Sequence, residues 1–218
     1  MTSATATKTD LYKEHKQEYI TPKKPMLVRV ERAKYLSATG QGEPGGALFQ
    51  AMVGALYGTA YTIKFAKKPG GHDFKVCNLE GLYWTDSEYQ CFTGAPPAKL
   101  HWRLLIRVPG YVTQRDLDAA VRAKRETAPE MAEVKLETIK EGKSVQMLHV
   151  GPYAEEPKTI RLMIDFAAAQ GLQVQGPHHE IYLSDPHRVP PERLKTILRL
   201  PVGEARKAPD QAARYFAM

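Results

Sequence analysis

The segment Leu82-Tyr83-Trp84-Thr85-Asp86 has a counterpart later in the chain, Ile181-Tyr182-Leu183-Ser184-Asp185. The two segments hold the same position in a predicted order of strand, helix, strand and strand that occurs twice, over about residues 26–109 and 134–202. One copy alone would be a half-covered sheet of marginal stability. We therefore expect an α+β fold: two strand-helix-strand-strand repeats with a pseudo-dyad, and antiparallel sheets around a central ligand cleft.

Each repeat contains one helix that the spacing of its apolar residues predicts. In the first, Phe49, Leu56 and Ile63 recur on one helical face, and residues 69–71 (Pro-Gly-Gly) end the helix. In the second, the pattern covers residues 157–170, and the glycine that follows is a typical helix stop.

Each predicted repeat begins with a segment whose apolar residues are typical of a β-strand. Residues 26–31 form the first predicted strand. Residues 134–150 are predicted as one long strand or as a hairpin that turns at Glu141-Gly142. Around these elements we expect an N-terminal arm (residues 1–24), a single domain (residues 25–202) and a charged C-terminal tail (residues 203–218).

The composition is that of an ordinary globular protein, with 43% hydrophobic and 25% charged residues among 218. No apolar run is long enough for a transmembrane helix, and the N-terminus lacks the apolar core of a secretory signal. Cys77 and Cys91 have no metal-binding spacing, so we expect free thiols and a cytoplasmic protein with no membrane partner. The net charge of +7 is dispersed, and we expect no direct binding of nucleic acid. The sequence does not indicate an oligomeric state.

Glu180 is the carboxylate that the sequence singles out. Strand alternation places Glu180 and Tyr182 on one face, towards a cleft or solvent, and Ile181 and Leu183 on the other, which we expect to face the helices. Gly81 occupies the equivalent position in the first repeat. A glycine there either leaves room for whatever Glu180 faces or marks a bend in the strand.

Aromatic side chains are frequent where the cleft is predicted. In a cleft they would favour a flat, lipophilic ligand, with or without a positive charge, through stacking and cation–π contacts; in a core they would be ordinary packing. The residues concerned are Tyr57, Tyr61, Tyr83, Trp84, Trp102, Tyr153 and Tyr182. The histidines show no metal spacing, because His178 and His179 are adjacent in a strand and point to opposite faces. We therefore expect neither a metal nor a cofactor.

Several motifs together resemble the GyrI-like small-molecule-binding domain family of the SOUL/GyrI-like superfamily. They are residues 178–186 (His-His-Glu-Ile-Tyr-Leu-Ser-Asp-Pro), 79–84 (Leu-Glu-Gly-Leu-Tyr-Trp) and 149–153 (His-Val-Gly-Pro-Tyr) with Glu156-Pro157. The resemblance implies two repeats around a pseudo-dyad. It also places the buried Glu of the family, a counter-charge for lipophilic cations, at Glu180. In place of two expected tryptophans the chain has Tyr83-Trp84.

The stand-alone branch that this chain resembles is implicated in opening the cyclopropane ring of duocarmycin-type and yatakemycin-type DNA alkylators. The resemblance thus implies a cyclopropanoid cyclopropyl hydrolase with Glu180 as general base. Tyr57, Tyr61 or Tyr83 would donate to the substrate oxygen. The substrate would be bound by the residues Trp84, Trp102, Tyr153, Tyr182 and Gly81. The alternative is a module that binds or sequesters the same class of small molecule without chemistry.

Overall fold

The computed structural model describes residues 8–86 and 99–204; Cys91, residues 1–7 and residues 205–218 of the predicted tail lie outside them. The described part contains four α-helices and nine strands. The helices are α1 Leu11–Glu14, α2 Ala47–Lys67, α3 Gln114–Lys124 and α4 Glu156–Ala168. The strands are β1 Met26–Val30, β2 Ala33–Gln41, β3 Glu80–Trp84, β4 His101–Val108, β5 Lys135–Ile139, β6 Gly142–Val150, β7 Leu172–Val174, β8 His178–Tyr182 and β9 Lys195–Glu204.

All strand pairs of the named strands are antiparallel, in the order β1-β6-β9-β8-β3-β4-β2-β5, and β7 pairs with the far end of β9. The sheet does not close. The elements β2-α2-β3-β4 and β6-α4-β8-β9 occupy equivalent places on either side of the central β3–β8 pair. The predicted α+β fold with two repeats and a pseudo-dyad is therefore confirmed.

The two repeats exchange a strand, which the sequence analysis did not predict. β1 pairs with β6 of the second repeat, and β5 pairs with β2 of the first. Residues 31–32 and 140–141 thus carry the chain from one end of the strand order to the other. The region 134–150 is therefore neither one strand nor a hairpin, because β5 and β6 each pair with a strand of the other repeat.

The helices α2 and α4 cover one face of the sheet. Leu56 and Ile63 of α2 are buried in the main core with β2 and β4, and Met163 of α4 is buried against Leu198 of β9. The third helix begins with a capping box: the side chain of Thr113 accepts a hydrogen bond from the backbone N–H of Asp116, and the side chain of Asp116 accepts one from the backbone N–H of Thr113. None of the helices in residues 8–86 and 99–204 has the length and apolarity needed to cross a bilayer.

The opposite face of the sheet is buried against polar and charged groups. Glu80 of β3 and its cross-strand partner Ile181 share this face, and the Tyr19 hydroxyl donates to Glu80 over 3.2 Å. Ile181 therefore points away from the helices, and the prediction that it faces them was wrong. The reason is that both faces of the curled sheet are buried, so an apolar residue does not identify the helix side.

A buried ionic network stabilises the face of the sheet that is turned away from the helices, its inner face. Arg199 donates to Glu141 over 2.6 Å, and His179 lies 2.9 Å from Glu141 and 3.1 Å from Glu80. Burial alone would raise the pKa of Glu141, but His179 and Arg199 outweigh it and lower the pKa to about 2. Burial opposes the charge of His179, but Glu141 and Glu80 raise its pKa to about 9. His179 is therefore protonated at neutral pH.

Candidate functional site

A cavity of about 680 Å³ opens on the helix side of the sheet, where the two repeats meet. Its volume lies in the range of small-molecule pockets, and its wall is mostly apolar. The helix α2 supplies Phe49, Val53 and Tyr57, and the start of α4 supplies Glu156. The remaining wall comes mainly from the ends of the central strands and from the loop after β8: Asn78, Leu79, Tyr83, Glu180, Tyr182, Leu183, Ser184, Asp185, Pro186 and His187.

Glu180 lies on the cavity wall at the centre of the pseudo-dyad. Its cross-strand partner is Gly81, the residue that holds the equivalent position in the first repeat. The space that Gly81 leaves is taken by the ring of Tyr83, because a Cβ at Gly81 would lie 2.7 Å from that ring. Gly81 itself is not a wall residue. Its lack of a side chain lets Tyr83 reach across to the second repeat.

Two tyrosines that are equivalent in the repeats meet beside Glu180. The hydroxyls of Tyr83 and Tyr182 lie 2.5 Å apart, and the Tyr182 hydroxyl also bonds to Glu180. Burial raises the pKa of both hydroxyls, and the negative charge of Glu180 raises them further. The ring of Tyr153 lies edge-on to Tyr182 with centroids 5.9 Å apart. These hydroxyls therefore stay protonated and hold the carboxylate in place.

Glu156 forms a carboxyl pair with Glu180. It is the first residue of α4, is almost fully buried, and bonds to Glu180 and Thr196. Burial raises the pKa of Glu156 well above its usual range, and the charge of Glu180 adds to this. Glu156 therefore keeps its proton at neutral pH and donates it in a hydrogen bond to Glu180.

His178 is a further neighbour of the Glu180 carboxylate. Its Nε2 is 3.2 Å from Oε1 of Glu180, and the His178 side chain is fully buried. One ligand atom each of Glu156, His178 and Glu180 lies within 4.8 Å of the others, which is a donor set that could hold a cation. Sequence spacing gave no sign of this set because Glu156 comes from another element.

Comparison with known proteins identifies the family of this site. The model of the GyrI-like small molecule binding domain matches residues 31–202. The chain belongs to the GyrI-like family. The carboxyl pair and the tyrosines therefore line the interior of a GyrI-like domain.

Three solved structures from Listeria innocua are similar to this GyrI-like chain over 90% of its length and 100% of theirs. An uncharacterized conserved protein has 39% identity and a TM-score of 0.83. Two structures described as hydrolases have 38% identity and TM-scores of 0.80 and 0.82. The EcmrR C-terminal domain, at 13% identity and a TM-score of 0.54, shares the fold alone. No curated protein matches the chain.

Five of the residues predicted for the site meet at the cavity: Glu180, Tyr57, Tyr83, Tyr153 and Tyr182.

Three others lie elsewhere. Trp102 is buried in the main core, edge-on to Phe49 and beneath Gly40. Trp84 stacks on His101 and packs on the opposite face of the sheet. Tyr61 lies exposed on α2, one turn beyond Tyr57.

Glu156 is the buried carboxyl group of the cavity wall that sequence reasoning did not predict. A proline in the first turn marks a helix start, so Glu156-Pro157 identifies the beginning of α4. Combined with the repeat, that signal could have placed Glu156 near the pseudo-dyad. Its contact with Glu180 depends on how α4 packs on the sheet, which local sequence does not report.

Proposed function

We propose that this protein is a hydrolase that opens the cyclopropane ring of flat, lipophilic cyclopropanoid alkylators of the duocarmycin and yatakemycin type by adding water. The observation that carries the proposal is the contact between Glu180 and the buried Glu156, whose pKa burial raises, on the wall of a largely apolar cavity. The similarity to two Listeria innocua proteins described as hydrolases supports the reaction class. The cyclopropanoid substrate is the one that the motif resemblance implies.

Glu180 is the base in this proposal because its partner holds the proton. Glu156 is protonated at neutral pH and donates to Glu180, and the Tyr182 hydroxyl donates to Glu180 as well. These hydrogen bonds orient the carboxylate towards the cavity, where a water molecule beside it could donate to its free lone pair. A base held in this way contributes about 100- to 10,000-fold to the rate of proton transfer.

Tyr57 is the best-placed donor for the substrate oxygen. The backbone of Leu79 hydrogen-bonds its phenol oxygen, and burial raises the pKa of Tyr57, so its own proton stays available to donate. Tyr83 is already engaged with Tyr182, and Tyr61 lies outside the cavity wall. Tyr57 comes from α2 of the first repeat, whereas Glu180 comes from the second. The two groups would therefore act on a substrate that lies between the repeats.

The reaction adds one water molecule. The water oxygen bonds to the methylene carbon of the cyclopropane while Glu180 takes one of its protons. The ring C–C bond breaks, and its electron pair moves into the conjugated dienone, which becomes an aromatic phenolate. Tyr57 stabilises the oxygen that gains the charge. Uptake of a proton by the phenolate gives a product heavier by one water.

Steady-state kinetics of two matched variants test the assignment of the base. Glu180→Gln removes the base and should lower kcat about 100- to 10,000-fold with little effect on substrate binding. Glu156→Gln keeps a hydrogen-bond donor towards Glu180 and should lose less than about 10-fold. Wild-type turnover in Glu180→Gln would refute the assignment, and so would an equal loss in both variants.

A second candidate function is a non-catalytic module that binds or sequesters a lipophilic cation. The observation that favours it is the Glu180 carboxylate beside the rings of Tyr83, Tyr153 and Tyr182, an arrangement suited to an organic cation. This candidate predicts saturable binding without product, weakened in Glu180→Gln. Product analysis by mass spectrometry separates the two functions.

A further inference from the structure

One face of α2 carries an unbroken row of large apolar side chains at a spacing of four residues: Phe49, Val53, Tyr57, Tyr61 and Phe65. Residues four apart are neighbours on a helix surface, so the row is a continuous ridge. The first three members line the cavity, and the last two extend beyond it.

The outer part of this ridge is exposed to solvent. Tyr61 is 46% and Phe65 60% exposed. Their rings continue the ring of Tyr57, with centroids 6.5 Å apart from Tyr57 to Tyr61 and 6.1 Å from Tyr61 to Phe65, and with interplanar angles of 29° and 26°. Solvent-facing rings that continue a pocket wall are typical of a binding surface rather than of isolated surface residues.

We propose that Tyr61 and Phe65 form a second subsite that binds a further planar aromatic unit of an elongated substrate, whose reactive unit occupies the cavity. This inference rests on the proposed function. The occupant follows from continuity, because Tyr57 is both a wall residue of the cavity and the first ring of the row. Neither Tyr61 nor Phe65 carries a charge, so the subsite selects a flat apolar unit rather than an ionic group.

The length of the row sets the length of the ligand. A helix rises about 1.5 Å per residue, so Phe65 lies about 12 Å beyond Tyr57 along α2. A compound with one planar unit in the cavity would not extend over this distance. A compound with two linked planar units would cover Tyr61 and then Phe65. The enzyme should therefore prefer the longer compound.

The test compares two cyclopropanoids with the same reactive unit, one with and one without a second linked aromatic unit. Wild-type protein should have the lower KM for the longer compound. Tyr61→Ala and Phe65→Ala should each raise that KM roughly 3- to 10-fold, the usual scale of one aromatic contact. The kcat for both compounds and the KM for the shorter one should not change. Tyr61→Phe, which keeps the ring, should retain the preference.

Leu162→Ala is the matched control, because Leu162 is an equally exposed apolar residue on α4. An unchanged KM for the longer compound in Tyr61→Ala and Phe65→Ala would overturn the subsite. So would a loss of self-association in sedimentation experiments, which would assign the ridge to a second copy of the chain. If neither compound is hydrolysed, the proposed function fails. Calorimetric binding of the two compounds then still reports whether the longer one gains affinity through Tyr61 and Phe65.

Discussion

Glu156 and Glu180 touch each other, yet they have different roles because their surroundings differ. Glu156 is held by Thr196 and by the burial of the α4 start, whereas Glu180 lies on the cavity wall beside the Tyr83–Tyr182 hydroxyl pair. Desolvation favours the neutral form of a buried acid, and two adjacent carboxylates do not readily ionise together. The protein thereby leaves one oriented carboxylate facing an apolar pocket.

Gly81→Ala tests whether the hydroxyl pair holds this carboxylate. The new methyl group would collide with the Tyr83 ring and move its hydroxyl away from Tyr182. Overpacking of this kind costs about 1–3 kcal/mol of unfolding free energy, and we expect kcat to fall as well. Urea unfolding and steady-state kinetics measure the two effects.

Gly54→Ala is the control for that substitution. Gly54 lies in α2 with no atom near its missing side chain, so alanine should stabilise the protein by about 0.5–1 kcal/mol and leave kcat unchanged. If Gly81→Ala behaved like Gly54→Ala, the Tyr83–Tyr182 contact would not support the site.

At the level of elements, the segment before β1 is fastened to the inner face of the sheet. Glu18 forms a buried ion pair of 2.7 Å with Arg107 of β4, and Tyr19 contacts both Arg107 and Glu80. A side chain outside the two repeats thus neutralises a charge within them. The division of the chain into arm, domain and tail remains a prediction, but residues 16–19 clearly pack on the domain.

Glu18→Ala measures the strength of this attachment. It leaves the Arg107 charge buried without its carboxylate, and breaking such a pair costs about 3–5 kcal/mol. Glu31→Ala is the matched control, because its ion pair with Arg29 is exposed and should contribute about 0–1 kcal/mol. Equal urea midpoints for the two variants would contradict this view of the segment.

At the level of the whole molecule, the inner ionic network couples stability to pH. The folded-state pKa of His179, about 9, lies above its unfolded value of about 6.5. The contribution of protonated His179 to the free energy of unfolding is complete below pH ~6.5 and is lost as the pH rises towards about 9. The pKa of Glu141, about 2, lies below its unfolded value of about 4.3, so its contribution is present above that value and is lost as the pH falls towards about 2. The raised pKa of Glu156 acts in the same direction as that of His179, because the fold favours its neutral form: this contribution is complete below the unfolded value of about 4.3 and is lost steadily as the pH rises above it.

Thermal unfolding across pH should therefore show greatest stability near pH 4.5, with a steeper decline above about pH 6.5, where His179 also begins to lose its proton. The alkaline decline should be smaller in His179→Gln, which cannot carry the charge, although that variant starts from a lower melting temperature. A melting temperature independent of pH from 5 to 9 would contradict the role assigned to the network.

The sequence predicted much of this architecture because its signals were local or repeated. The paired segments made Gly81 and Glu180 equivalent positions of the two repeats, and strand alternation placed Tyr182 on the same face as Glu180, where both line the cavity. The exchange of strands between the repeats was not predictable, because the alternation of apolar and polar residues in a strand does not indicate which strand it pairs with. Trp102 has the same chemistry as a cleft residue, and only packing against α2 puts it in the core. The cytoplasmic location and the absence of a nucleic-acid partner remain predictions.

Incubation of purified protein with a duocarmycin-type cyclopropanoid in heavy-oxygen water, followed by mass spectrometry, tests whether Glu180 drives hydrolysis of the cyclopropane ring. We expect a product heavier by one water, with the heavy oxygen on the former ring methylene. It should form faster than in buffer, and at least about 100-fold more slowly with Glu180→Gln. An unchanged compound, or labelled product formed equally fast with Glu180→Gln, would contradict the account.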